Sequence, residues 1–271
     1  MKSFKRWGFD PFGLLGMVLL IGLWFALVPL VPRSALPTPW GVATTAVQKF
    51  FYNKTFAFYG LADVGYFSAL VYTVQNVLMA TIGGGIVGIL AGLVTARSKL
   101  VRAVCDPIVL TLGTVPILIA SPFLLLWLGT DRMSAVAMVG FYAAVTLYTY
   151  AQRAAINLNP VYESAARTYG ASRGAMLRDL LLPGTLPEIL GGVRIALAGA
   201  WGLEAIAELL GAQRGIGKLI ESITGASDVE SLFAALILLG ITAVLFDVVV
   251  AFGFARLTRW RGGRGSLTNP R

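Results

Sequence analysis

The chain has 271 residues, of which 57% are apolar and 13% charged, about half the charged fraction of a soluble domain (roughly 25%). Its 22 Lys and Arg outnumber its 13 Asp and Glu, yet so little polar surface leaves no room for a broad phosphate-binding face, which excludes nucleic acid as a partner. With no His and one Cys, Cys105, it excludes internal disulfides, the usual zinc sites, His-held haem and His-based triads.

A bilayer-spanning helix needs about 20 mostly apolar residues. Six such runs, at about 11–31, 66–95, 107–128, 133–152, 187–210 and 231–255, predict an all-α integral membrane protein surrounded by lipid. They divide the chain into a basic N-terminus (1–10), one transmembrane domain (11–255) and a basic tail (256–271). The first run follows Lys2, Lys5 and Arg6, as a signal peptide would, but it is too long for a signal h-region and lacks a small-residue cleavage site. A retained helix is expected there. Residues 32–65 open with Leu36-Pro37-Thr38-Pro39 and continue into an amphipathic stretch marked by Val42, Ala46 and Phe50.

The second run carries Ser68, Tyr72, Gln75 and Met79 within about 60° of one another at helical spacing, with Asn76 beside them. The third is interrupted by Pro116 and Pro122. In the fifth, Arg194, Trp201, Glu204 and Glu208 share about one quarter of the helix. Ser68, Tyr72, Gln75, Asn76, Trp201, Glu204 and Glu208 are the candidates for lining a pathway; for Gln75 and Asn76, hydrogen bonding between spans is an equal alternative. Glu204 and Glu208 lie one turn apart with no nucleophile, metal site or oxyanion donor nearby, so a structural or gating role is expected and no catalytic residue is assigned. Arg194 and Asp247, of opposite charge and equal depth in the fifth and sixth runs, are expected to form an ion pair.

Six spans put both termini on one side. With the N-terminus inside, fifteen Lys and Arg fall in inside segments and six (Arg33, Lys49, Lys54, Arg132, Arg214, Lys218) in outside ones, which favours N-in, C-in. Residues 153–186 then form a long cytoplasmic loop. Asn159-Pro160 signals a helix start, Gly170 ends a helix over Tyr162–Tyr169, and Ser172 caps a second helix expected to stop at Pro183. By composition alone, a basic loop lying on anionic lipid is an equal reading.

In that loop Ser164-Ala165-Ala166, Gly170 and Leu180-Leu181-Leu182-Pro183 fall at fixed intervals. The pattern resembles the E-A-A signature of permease subunits of bacterial ATP-binding-cassette importers. Ser164 stands where that family has Glu, with Glu163 one place earlier, and Leu180 replaces Ile. Leu36-Pro37-Thr38-Pro39, Asp106-Pro107, Pro116, Pro122, Trp127, Gly129, Trp201, Ala207-Glu208-Leu209-Leu210-Gly211-Ala212 and Gly215-Ile216-Gly217 are similar to the nitrate/sulfonate/taurine-type branch.

The resemblance implies a type I importer permease fold in the bacterial inner membrane. It implies two copies of this chain forming a pathway for a small anion or zwitterion, two cytoplasmic ATPase subunits and an extracytoplasmic binding protein. Glu163, Ser164, Ala165, Ala166, Gly170, Leu180, Leu182 and Pro183 would then belong to a coupling helix that docks on the ATPase. The chain has no Walker-type G-x-x-x-x-G-K-S/T, so ATP and Mg would be bound by the partner. The alternative is a secondary transporter driven by an ion gradient, which predicts an internal inverted repeat that the sequence lacks. An intramembrane enzyme would need Ser-His, paired Asp or metal ligands in the spans, which are also missing.

Overall fold

The computed structural model describes residues 11–58 and 60–259. The basic N-terminus expected at 1–10, and the tail from 260 onward, lie outside the described residues. Twelve α-helices follow in order, with no strand among the described residues: α1 (Pro11–Leu27), α2 (Pro39–Gln48), α3 (Lys54–Phe58), α4 (Tyr66–Arg97), α5 (Lys99–Thr114), α6 (Ile117–Leu128), α7 (Arg132–Ile156), α8 (Pro160–Thr168), α9 (Arg173–Ala175), α10 (Leu182–Gly211), α11 (Ile216–Gly225) and α12 (Val229–Leu257).

Among the described residues, five stretches are long and apolar enough to cross a membrane: Phe12–Leu30, Tyr66–Arg97, Arg132–Ile156, Met176–Gly211 and Val229–Leu257. The third expected span departs from a straight crossing. It is a bent pair, α5 and α6, turning by 94°. Pro116 has no N–H to donate and forces Val115 into extended backbone (φ −70°, ψ 121°), so α5 ends at Thr114 and α6 starts afresh at Ile117. Pro122 stays inside α6. The second helix of the 153–186 loop also departs from expectation, because it does not stop at Pro183. Met176–Leu181 winds as a π-helix, Leu182 N–H reaches back to Leu177 O, and Pro183 falls in the first turn of α10, where its missing N–H costs little.

α4 and α7 form the spine. Gly84, Gly88 and Gly92 recur every four residues on one face of α4, and a Cβ on each would fall on the carbonyl oxygen of Gly140, Ala144 and Tyr148 respectively. The two backbones therefore touch directly, as small residues permit in membranes. Val77, Ala80, Val139, Leu197, Ala200 and Trp201 weld α10 onto this pair at mid-height. Asp106 fastens α5 to the spine: Gln152 Nε2 donates to it (2.6 Å), as does the Tyr148 hydroxyl.

One end of the bundle gathers α2, α3, α11 and the starts of α4, α7 and α12. Thr38 caps α2 by accepting Gly41 N–H (3.0 Å), and Val42 packs with Phe56, Tyr66, Ile216 and Leu219. The opposite end carries α8 and α9. α1 stands apart, with most of its large apolar side chains exposed; Trp24 donates to Pro37 O (3.0 Å) and its ring lies 6.0 Å from that of Phe233.

Candidate functional site

At the α8 end, Asn159 Oδ1 accepts Val161 N–H (3.0 Å) and starts the helix. Glu163 accepts from Arg167 one turn later (2.9 Å) and lies 3.7 Å from Arg97, the last residue of α4. The Arg167 hydrogen bond holds the Glu163 carboxyl below the usual carboxylate range. Ser164 and Ala165 are exposed, Ala166 is half-buried, and Gly170 closes the turn at φ +74°, a conformation that side chains with a Cβ disfavour. The same helix presents Val161, Tyr162 and Tyr169 outward, the last 91% exposed. Leu180 and Pro183 are half-buried and Leu182 is exposed, whereas the intervening Leu181, not among the candidates, is buried with Leu93, Ala151 and Ile189. Its signal was present: residues 181, 185, 189 and 196 continue the buried stripe of the fifth span backward. Arg97, Leu158, Glu163, Arg167 and Leu180 border a cleft of about 240 Å³.

At the other end the first turn of α11 is capped by side chains from elsewhere. Gly217 N–H donates to Glu208 Oε2 (2.9 Å), Ile216 N–H to Thr73 Oγ1 (3.0 Å) and Gly215 N–H to Asp63 Oδ2 (2.8 Å). The Thr73 hydroxyl lies 2.8 and 2.9 Å from the two Glu208 oxygens. These contacts satisfy N–H groups that a helix start leaves free, and the positive end of the helix faces the carboxylate. Gly215 (φ +100°) and Gly217 are required by the close approach, since a Cβ on Gly215 would strike the Glu208 carboxyl and one on Gly217 the Ala205 carbonyl. Glu204 accepts from Asn76 Nδ2 (2.8 Å), while Glu204 Oε2 and Asn76 Oδ1 have no hydrogen-bond partner among the described residues.

Most of the expected pathway lining is therefore interior. Glu204, Glu208 and Asn76 are fully enclosed within the chain, and Trp201 and Tyr72 nearly so, because their shared face meets neighbouring helices rather than an opening. The Trp201 ring packs 5.4 Å from that of Phe246. Ser68 is half-buried and donates to Gly65 O (3.0 Å), and Gln75 is exposed. Arg194 makes a two-pronged contact with Asp247, Nε to Oδ1 at 2.9 Å and Nη2 to Oδ2 at 2.6 Å. Their side chains are 47% and 42% exposed, so the pair lies on the surface of the chain, within two of its long apolar helices. Among the described residues no three His, Cys, Asp or Glu gather as a metal site.

Residues 84–261 match the family described as the binding-protein-dependent transport system inner membrane component. The taurine transport system permease protein TauC of Escherichia coli (strain K12) is 29% identical over 203 residues, 75% of this chain and 74% of that protein. The putative aliphatic sulfonates transport permease protein SsuC of Bacillus subtilis (strain 168) is 27% identical over 259 residues, covering 95% and 90%. Among solved structures, a bacterial ABC transporter involved in the import of the acidic polysaccharide alginate superposes with a TM-score of 0.63 at 19% identity, over 91% of this chain and 96% of that one. That likeness gives the fold of an importer permease. The chain belongs to the binding-protein-dependent transport system inner membrane components: it is a multi-pass permease subunit of a bacterial ABC transporter.

Proposed function

We propose that two copies of this chain form the pathway of an ATP-driven importer for a small anion or zwitterion of the sulfonate, taurine or nitrate class. An extracytoplasmic binding protein delivers the substrate, and two separate cytoplasmic ATPase subunits bind ATP and Mg and drive alternating access. In this reading the start of α1, the end of α12 and α8 all face the cytoplasm. The outward-facing Arg194–Asp247 pair supports a covering second copy or an aqueous path, because an ion pair left in lipid is penalised.

The observation that carries this reading is α8 itself. It is a short helix with exposed Val161, Tyr162 and Tyr169, small Ser164 and Ala165 between them, a tight Gly170 turn, and a tie from Glu163 to the end of α4. Such a helix offers an apolar docking face and moves as one piece with the spans it joins. Gly170→Asp tests it. The variant is expected to fold and insert but to lose the co-purifying ATPase, or to uncouple it. Substrate-stimulated ATP hydrolysis at the wild-type level would remove α8 from the coupling role.

A further inference from the structure

At the end where α4 and α7 begin, two guanidinium groups share one aromatic ring. Arg132, the first residue of α7, stands 4.3 Å from the centroid of Tyr72, and Arg214, between α10 and α11, stands 5.2 Å from it. Two cations on one ring repel each other, and the fold offsets one of them. Arg214 is held by the buried carboxylate of Asp63 (2.9 Å), which is also committed to Gly215 N–H. Arg132 makes no ion pair among the described residues, not even with its neighbour Asp131. Its guanidinium donates instead to the amide oxygen of exposed Gln75 (3.1 Å), whose NH₂ is left without a partner among the described residues.

The cluster thus holds one guanidinium without an ion pair among the described residues, with unused planar N–H donors on Arg132 and Gln75. We propose that Arg132, Arg214 and Gln75, arranged around Tyr72, recognise a small oxyanion group, such as sulfonate, nitrate or carboxylate, at the mouth through which substrate reaches the permease. What the site is for rests on the importer reading above; that it binds oxyanions does not. A guanidinium fork matches two oxygens of such a group, and the ring fixes both forks without neutralising them. Asp63 keeps the total charge low, so the anion is held and released rather than trapped. Glu204 and Glu208 are fully enclosed, and Asn76 donates to Glu204, although the Glu204 carboxyl is near enough to interact with the charge of Arg132.

The test uses the full chain purified in mild detergent, titrated with methanesulfonate and with nitrate at fixed ionic strength, read by calorimetry. Wild type should bind saturably. Arg132→Gln should weaken binding at least tenfold, and Arg132→Lys should weaken it too, since a point charge lacks the fork. Lys54→Gln, which removes another exposed cation at the same end, should change it less than twofold. Gln75→Glu keeps Arg132 in place and neutralises it, so it should abolish binding even if the Arg132 variants misfold. No saturable binding by wild type, or equal binding by Gln75→Glu, overturns the site. Co-purification of an ATPase from the native membrane reads the importer assignment separately. An ATPase without oxyanion binding removes this site alone, and oxyanion binding without an ATPase keeps the site and removes the importer reading.

Discussion

Gly88→Ala measures how far the protein depends on backbone contact between α4 and α7. The added Cβ would fall on the Ala144 carbonyl oxygen and lie 2.9 Å from Ala144 Cα. Restoring an ordinary C···O separation of about 3.3 Å requires α7 to retreat by on the order of 1 Å. A gap of that size forfeits roughly a quarter to a half of each dispersion contact along the seam. Overpacking of this kind costs about 1–3 kcal/mol, partly hidden by the gain of about 1 kcal/mol that Ala has over Gly within a helix. Gly83→Ala supplies the reference: it sits on the same helix, no atom lies within 4 Å of its added Cβ, and it should show the propensity gain alone. The difference between the variants, read by denaturation in mixed micelles, should equal the packing cost. Agreement of the two to within about 0.5 kcal/mol would refute direct backbone contact as a source of stability.

Four further outcomes follow from the same geometry. Glu208→Gln trades a carboxylate accepting from Thr73 and Gly217 for one oxygen and an NH₂ facing donors, and should cost about 1–3 kcal/mol. Glu204→Gln gives Asn76 Oδ1 a donor and should leave stability unchanged or higher; equal losses in denaturation would sink the distinction. Burial pushes the Asp228 carboxyl up, but hydrogen bonds from Lys49 and Ser231 hold it below its usual value. A depressed folded pKa stabilises above the unfolded value of about 3.9 and loses that contribution as pH falls through the folded one. The gap in thermal midpoint between wild type and Lys49→Met should therefore close on acidification below about pH 4; a gap that persists would show that Asp228 does not carry it. Arg194→Asp and Asp247→Arg should each lower the yield of folded protein, with the double swap recovering it, and no recovery would contradict the pair.

Hydropathy exposed the long helices because each needs a run of apolar residues whatever it packs against. The same measure is blind to direction, so the apolar run through Pro116 read as one span although Val115 and Pro116 turn it by 94°. Pro183 misled for a related reason. A proline stops a helix only where its missing N–H is needed, and the π-helical turn at 176–181 carries the chain past that point. Angular spacing placed Glu204 and Glu208 on one face without saying what that face meets. It meets Asn76 and Thr73 of α4, not an opening. Gly84, Gly88 and Gly92 stood at a spacing of four in plain sequence, yet only the facing carbonyls of α7 show why.

The two candidate sites are joined by geometry. α7 runs from Arg132 to Ile156, roughly 37 Å at the helical rise, and α8 begins after three intervening residues. After the Gly170 turn and the π-helical stretch, α10 returns against α7 and ends just before Arg214. α7 and α10 are thus the arms of one hairpin with α8 at its closed end and the two arginines at its open end. Gly88 and its neighbours lock α4, and with it Tyr72 and Gln75, to the α7 arm. The irregular backbone, Gly170 at positive φ and the π-helix at 176–181, lies between α8 and the α10 arm, where helices most readily change direction. Asp63 and Thr73 also tie Arg214, Gly215 and Ile216 to the start of α4, so a displacement of α8 carried along either arm reaches Arg214 and the Tyr72–Arg132–Gln75 group together. Under the proposed readings, an oxyanion held at the mouth and an ATPase docked at α8 would then act on the two ends of one cross-linked hairpin, and either could bias the position of the other end.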